Sequence, residues 1–274
     1  MRDIDSFAKQ YPVTPDGIKF PPDHKLRREL FVSESMNHPA KMNLYLLQEI
    51  YRHVGEPGQT LMDISSGTGS LMMAALEGYQ VICIEIEKVF YEMQKASLAK
   101  LGAEHGLDVG RVILIPGDCT KFLPIPSNHV VFSPPYAGVC NRGRSAFNEK
   151  ARRLLSRNAN QDAVVEGFFN YSAHPDNLGN LSDYFYNRQM AKIYELCYRS
   201  LPVGGTLTVV IQDKTDKGTV VELSSRAASM CVAAGFTVAR WFMRQVKGTG
   251  LKALQRKKGF LTIDTENIII LVRQ

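Results

Sequence analysis

Leu61-Met62-Asp63-Ile64-Ser65-Ser66-Gly67-Thr68-Gly69-Ser70 is the stretch whose reading decides the fold. Residues 60–64 read as a short apolar strand that runs straight into a loop of small residues, and the segment Ser70–Glu77 has the pattern of a helix. Strand, glycine turn and helix open a parallel α/β unit. In such a unit Gly67 and Gly69 allow a tight turn and a close backbone approach to a ligand at the carboxyl end of the strand. A G-x-G turn also serves as a plain tight connection, so its meaning depends on what surrounds it.

Outward from this unit the rhythm continues. Strands are expected at 60–64, 81–86, 112–115, His129–Phe132 and Thr206–Ile211, with helices at Ser70–Glu77, 88–101, Asp183–Ser200 and 220–234 between them. Strand and helix in turn imply a mainly parallel sheet covered on both faces. The last two strands, 236–246 and 266–272, follow one another without a long helix and form a terminal antiparallel hairpin. The expected class is therefore α/β, with a seven-stranded sheet. A further helix is expected at 39–53, capped by Asn37, with Met42, Leu46 and Ile50 on one face. Residues 1–36 carry Pro12, Pro15, Pro21 and Pro22 among polar residues and read as an extended N-terminal arm. Residues 37–274 then form one domain, with an insertion at 137–183.

Composition narrows the setting. A chain of 274 residues can bury a substantial core. Its 33 Lys and Arg against 27 Asp and Glu leave a formal charge of +6, which is compatible with a polyanionic partner. The five cysteines are scattered without C-x-x-C spacing, which speaks against a disulfide framework or a zinc site. The six histidines show no metal-ligand spacing, so no metal is expected, and His129 reads as a packing or pairing residue. Trp241 reads as core or sheet face. No apolar run reaches membrane-spanning length and the N-terminus lacks a secretory pattern, so the expected location is the cytoplasm, with no membrane partner.

The second informative stretch is Ser133-Pro134-Pro135-Tyr136, at the end of the strand His129–Phe132. Two consecutive prolines cannot donate to a sheet ladder and hold their neighbours extended, so the strand stops and presents carbonyls to a cleft. The Ser133 hydroxyl and the Pro134 carbonyl would accept both hydrogens of a nucleobase amine. That favours a tetrahedral nitrogen with its lone pair aimed at an electrophile. Tyr136 offers a flat face to the base. A structural Pro-Pro turn is the plainer reading of the same residues.

Together the glycine loop and this tetrapeptide resemble the S-adenosylmethionine-dependent amino-methyltransferases of DNA, which pair a glycine-rich first loop with a D/N/S-P-P-Y/F/W motif. The resemblance runs from about His38 to the C-terminus, and the serine version is similar to the N4-cytosine subgroup. One departure is that the family's loop more often has a glycine where Ser65 or Ser66 stands. The resemblance implies a Rossmann-like class I methyltransferase fold, with S-adenosylmethionine as cofactor and Ser133, Pro134, Pro135 and Tyr136 as catalytic residues. His38, Pro39 and Lys41 match the motif ahead of the first strand. Asp63, Ser65, Gly67, Thr68 and Gly69 form the cofactor loop. Glu85, with Glu87 as its rival, stands where an acid takes the ribose hydroxyls, though either is also a plain helix-start acid. Asp118, followed by Cys119, resembles the residue holding the adenine amine and reads equally as a turn aspartate.

The connection after Tyr136 is far longer than a usual βα loop. It holds Arg142, Arg144, Arg152, Arg153 and Arg157 interleaved with Phe147, Phe168, Phe169 and Tyr171. Cations for phosphates beside rings for bases are the composition of a nucleic-acid groove, and of a solvated insertion as well. Lys252, Arg256 and Lys257 belong to a second basic run, between the last two strands. Asp176-Asn177-Leu178-Gly179-Asn180-Leu181 reads as a turn feeding the next helix, and the resemblance to methyltransferases with a similar asparagine-glycine stretch implies that it lies over the cleft.

The activity implied is site-specific DNA methylation at cytosine N4, of the restriction-modification kind in a prokaryotic or viral setting, by direct transfer to a flipped base. Alternatives are adenine N6, then RNA guanine N2 or protein glutamine, and a catalytically silent nucleic-acid-binding subunit. A cytosine C5 route needs a Pro-Cys nucleophile that the chain lacks.

Overall fold

The computed structural model describes residues 7–38, 41–137, 174–216, 218–246, 254 and 256–274. The central strands are β3 (Thr60–Asp63), β4 (Gln80–Glu85), β5 (Val112–Pro116), β6 (His129–Phe132) and β7 (Thr206–Ile211). All of them run parallel, in the order β7-β6-β3-β4-β5. Beyond two short strands, β8 (Lys214–Asp216) and β9 (Thr219–Val221), which pair with each other, come β10 (Phe236–Gln245) and β11 (Thr265–Arg273). β11 pairs antiparallel with both β7 and β10, which is the expected terminal hairpin.

Why these runs are strands follows from their burial. Along β6, Val130 and Phe132 belong to one core and Val131 to the other; along β11, Ile268 and Ile270 face one core while Ile269 and Leu271 face the other. Alternate side chains of a strand point to opposite faces, so a strand apolar at every position is buried on both. The first core is roofed by α2 (Leu44–Val54), the 3-10 helix Ser70–Glu77 and α3 (Lys88–His105). The second is roofed by α4 (Cys119–Phe122), α5 (Asp183–Ser200) and α6 (Leu223–Ala233).

Three expectations change. Helix α6 starts at Leu223 rather than at 220, because Val220 and Val221 pair as part of β9. Helix α2 starts at Leu44 rather than near residue 39, because Asn43 Oδ1 accepts the free N–H groups of Tyr45 and Leu46 at 3.0 and 3.1 Å. The N-terminal residues are not an extended arm. They form β1 (Val13–Thr14), β2 (Gly17–Ile18) and α1 (His24–Leu30), and they bury Phe7, Ile18, Leu30 and Phe31 in the first core. The hairpin β1–β2 adds to the β10 edge, so the seven expected strands sit in a sheet of nine. Gly17 is needed at this join: with φ +106°, it lies where a Cβ would come within 2.3 Å of the Met243 carbonyl oxygen.

The topology sets the site. From β3 the chain steps outward through β4 and β5, then returns to β6 on the other side of β3. Ligands of such sheets bind at this reversal, outside the carboxyl ends of the strands. The glycine loop leaves β3 there and the Ser133–Tyr136 rim leaves β6 there.

Candidate active site

Ser65 Oγ donates to the Ser133 carbonyl at 3.2 Å, so the two informative stretches, 68 residues apart, meet at the reversal. A cavity of about 350 Å³ opens beside this contact. Of the residues predicted from sequence, His38, Lys41, Asp63, Ser65, Gly67, Thr68, Glu85, Asp118, Cys119 and all four of Ser133, Pro134, Pro135 and Tyr136 line it.

The glycine loop is shaped from behind. Gln94, fully buried on α3, donates through Nε2 to Ser66 Oγ at 2.9 Å and to the Gly67 carbonyl at 2.6 Å. Gly67 has φ +51°, and a Cβ there would sit 3.1 Å from His38 Nε2. The His38 ring is held edge-on against Phe90, with centroids 4.4 Å apart. Gly69, predicted to face the cofactor, does not line the cavity. A Cβ on it would meet Met72 Cε at 2.7 Å and Gln94 Cγ at 2.9 Å, so this glycine serves packing.

Acidic groups gather at the neighbouring strand ends. Asp63 Oδ1 accepts the Ser65 N–H at 3.0 Å, and burial pushes its carboxyl up to about 7. Glu85 Oε2 accepts the Gly67 N–H at 2.5 Å and Oε1 accepts the Glu87 N–H at 2.9 Å. Burial still carries Glu85 up to about 8, against the lowering effect of those two N–H groups. Glu87 accepts the Asn177 amide at 2.7 Å and the His174 N–H at 3.1 Å. Both acids therefore brace the walls, and both border the cavity. Asp118 caps α4, taking the Thr120 N–H at 2.9 Å and hydroxyl at 2.8 Å, so the turn-aspartate role is realised at the cavity edge. Cys119 is buried, with its thiol pushed up to about 12 by that burial.

Lys41 donates to the Met36 carbonyl at 2.8 Å and to the His38 carbonyl. Burial first, then the nearby Arg27 charge, lowers its ammonium to about 8. Arg27 was not singled out from sequence. It is buried beneath this region and bonds Asp23, Ser70 Oγ and the Met42 carbonyl, which anchors the N-terminal helix to the start of the Ser70–Glu77 turn.

On the rim side Tyr136 Oη accepts the Gln212 N–H at 2.9 Å, which fixes the ring. Burial, and next the Glu266 carboxylate, raise its phenol well above the ordinary value. Gln212, Arg244, Val246 and Glu266 continue this wall. Asp176, Asn177 and Leu178 also line the cavity, in keeping with a turn over the cleft. His129 lies between Thr206 Oγ1 and Gln59 Oε1, at 2.8 and 3.0 Å, and burial lowers it to about 4. Trp241 lies on the sheet face, donating to Asn267 Oδ1 at 2.8 Å.

Of the basic residues, Arg256 and Lys257 are exposed, and Arg256 pairs with Asp264 at 2.7 Å. Pro39, Arg142, Arg144, Arg152, Arg153, Arg157 and Lys252 lie outside the described residues, as does most of the 137–183 insertion. Among the described residues, no cluster of three or more His, Cys, Asp or Glu could hold a metal ion, and no helix is long and apolar enough to cross a membrane.

No protein-family signature matches the chain, and no curated protein matches it. Among solved structures it is similar to TrmN from Thermus thermophilus, with a TM-score of 0.51 and 12% identity across 90% of this chain. The match spans 53% of that protein, about half its length. A methyltransferase from Pyrococcus furiosus aligns with a TM-score of 0.47 and 13% identity, across 84% of this chain and 80% of the other. At 12% identity the likeness to TrmN bears on fold alone, and with the strand order and the antiparallel terminal pair it gives one conclusion: the chain has the Rossmann-like class I methyltransferase fold.

Proposed function

We propose that the chain is an S-adenosylmethionine-dependent DNA methyltransferase acting on the exocyclic N4 of cytosine. The observation that carries this reading is the Ser65–Ser133 contact, which joins a glycine loop and a Ser-Pro-Pro-Tyr rim at one cavity.

The residues present fit the cofactor. Gly67 leaves beside His38 a space that a Cβ would narrow, and the carboxyl oxygens of Glu85, Glu87 and Asp118 offer acceptors for hydroxyls and an amine. Ile64, Ile86 and Phe90 supply apolar walls. When bound, the cofactor supplies an electrophilic methyl group. The protein's own part is positioning and electrostatics. Ser133 Oγ and the Pro134 carbonyl accept the two amine hydrogens and hold the nitrogen lone pair toward the cofactor half of the cavity. Tyr136, fixed through Gln212, stacks on a base flipped out of the helix. The arginine-rich insertion supplies phosphate contacts, by its composition.

The decisive experiment is mass spectrometry of nucleosides from DNA and from RNA incubated with the protein and isotope-labelled cofactor. N4-methylcytosine from DNA is the expected product. N6-methyladenine would replace the base while keeping the mechanism, and label in RNA alone would replace the substrate.

A further inference from the structure

Arg244 on β10 and Glu266 on β11 are direct partners in the strand register, and Arg244 Nε donates to Glu266 Oε2 at 2.5 Å. Their side chains are 12% and 15% exposed, and both line the cavity. Burying such a pair costs desolvation that its own attraction often fails to recover, so a buried pair on a cavity wall calls for another account. The pair adjoins the rim. Gln212, whose N–H holds Tyr136 Oη, also donates through Nε2 at 3.0 Å to the carbonyl of Thr265, the residue before Glu266. Among the described residues, Glu266 is the hydrogen-bonding partner of the Arg244 side chain, through Nε, and the two Nη groups remain as donors.

We infer that Arg244 is the specificity-determining residue of the base pocket and donates to the O2 and N3 acceptors of a flipped cytosine, with Glu266 holding the guanidinium in place. This rests on the proposed function, in which an amine-bearing base occupies the Ser133–Tyr136 rim. Beside its amine, cytosine presents two acceptors in succession, N3 and then O2. Adenine presents N1 and then an apolar C2–H, and guanine meets the same donor with an N1–H. A guanidinium fork matches the first edge and leaves a buried donor unpaired against the others. Sites built on such hydrogen bonds reject the mismatched partner strongly because desolvated polar groups are left unsatisfied. Glu266 also keeps the guanidinium occupied on one side, which fixes its plane.

The test uses two short single-stranded oligonucleotides, thymine throughout except for one cytosine or one adenine. Fluorescence anisotropy reads their affinity and nucleoside mass spectrometry reads methylation. The wild type is expected to favour the cytosine strand by about tenfold or more in both. Arg244→Met should bring that ratio to within about threefold, by loss on cytosine, with S-adenosylhomocysteine affinity kept, and Arg244→Lys should restore part of the preference. If Arg244→Met weakens both strands equally, or leaves the ratio intact while the wild type methylates cytosine, the assignment to Arg244 is wrong and the proposed function stands. If the wild type methylates neither base and binds both strands alike, the proposed function itself fails and takes this inference with it.

Discussion

The Asn177 side-chain amide donates to Glu87 Oε1 across 2.7 Å, tying the turn before α5 to the residue just past β4. Both residues are buried, and the His174 N–H completes the arrangement. Removing the amide leaves a buried carboxylate with one bond unmade. Asn177→Ala is expected to cost about 1–3 kcal/mol of stability. By loosening Glu87 it should also weaken S-adenosylhomocysteine binding about fivefold. Thermal melts and calorimetry check the two effects. Wild-type affinity in the variant would mean that Glu87 does not touch the cofactor.

The two glycines of the first loop should part company on substitution. Gly67→Ala keeps the loop's packing but narrows the space beside His38, so calorimetry should show cofactor affinity reduced by about tenfold with a modest drop in melting temperature. Gly69→Leu drives a side chain into Met72 and Gln94 at a left-handed position. Strain of about 1–2 kcal/mol and overpacking of about 1–3 kcal/mol make it a folding defect. Equal melting temperatures for the two variants would contradict this division.

Loss of the rim groups should show in the rate. Ser133→Ala and Tyr136→Ala are each expected to slow single-turnover methylation by at least about tenfold, roughly 1.4 kcal/mol of barrier, with S-adenosylmethionine affinity near wild type. Tyr136→Phe keeps the ring but leaves the Gln212 N–H without its acceptor, and should fall between. Full activity in Ser133→Ala and Tyr136→Ala would remove the rim from the chemistry.

Stability of the cofactor-free protein should fall as pH rises. Folding lifts Glu85 to about 8 and Asp63 to about 7, from ordinary values of 4.5 and 3.8, so the folded state holds these protons more tightly than the unfolded chain. Their contribution is complete below the ordinary carboxylate range and is lost as pH climbs through 7 for Asp63 and 8 for Glu85. Each carboxyl adds a slope of up to about 1.4 kcal/mol per pH unit in between. Melting curves from about pH 5 to about pH 8 should show the decline, and Glu85→Gln should flatten it whatever its absolute stability. An unchanged slope in that variant would assign the dependence elsewhere.

Much of this was legible in the residues. Runs such as His129–Phe132 and Thr206–Ile211 are apolar throughout and bounded by turn residues, which marks strands buried on both faces, and both lie where expected. The glycine loop and the proline rim were each legible as strand ends, whereas the pairing of β3 with β6 that brings them together comes from the topology. The N-terminal structure was not legible, because Phe7, Ile18, Leu30 and Phe31 enter the core singly, without a helical or strand period among prolines. The start of α2 was misplaced at Asn37, because a cap is known by its bonds to the free N–H groups of the first turn, which here Asn43 makes, and not by residue type alone. Which glycine faces the cavity depends on the loop's path, and the Arg244–Glu266 pair depends on a register 22 residues apart in sequence. Gln94 could have been found from its place on the helix after β4, one face of which must back the glycine loop.

The short hairpin on β10 has a consequence for how the molecule keeps to itself. Long exposed strand edges invite pairing with other chains, and proteins blunt them with short strands, bulges and charge. Here the ten-residue β10 meets β2 at a single register position, Arg244 against Ile18, and the outermost strand, β1, has two residues. The register of β10 slips between Val238 and Arg240, which bends the strand. Ended this way on the β10 side, the sheet offers another strand little template there, so pairing of copies through that edge is discouraged.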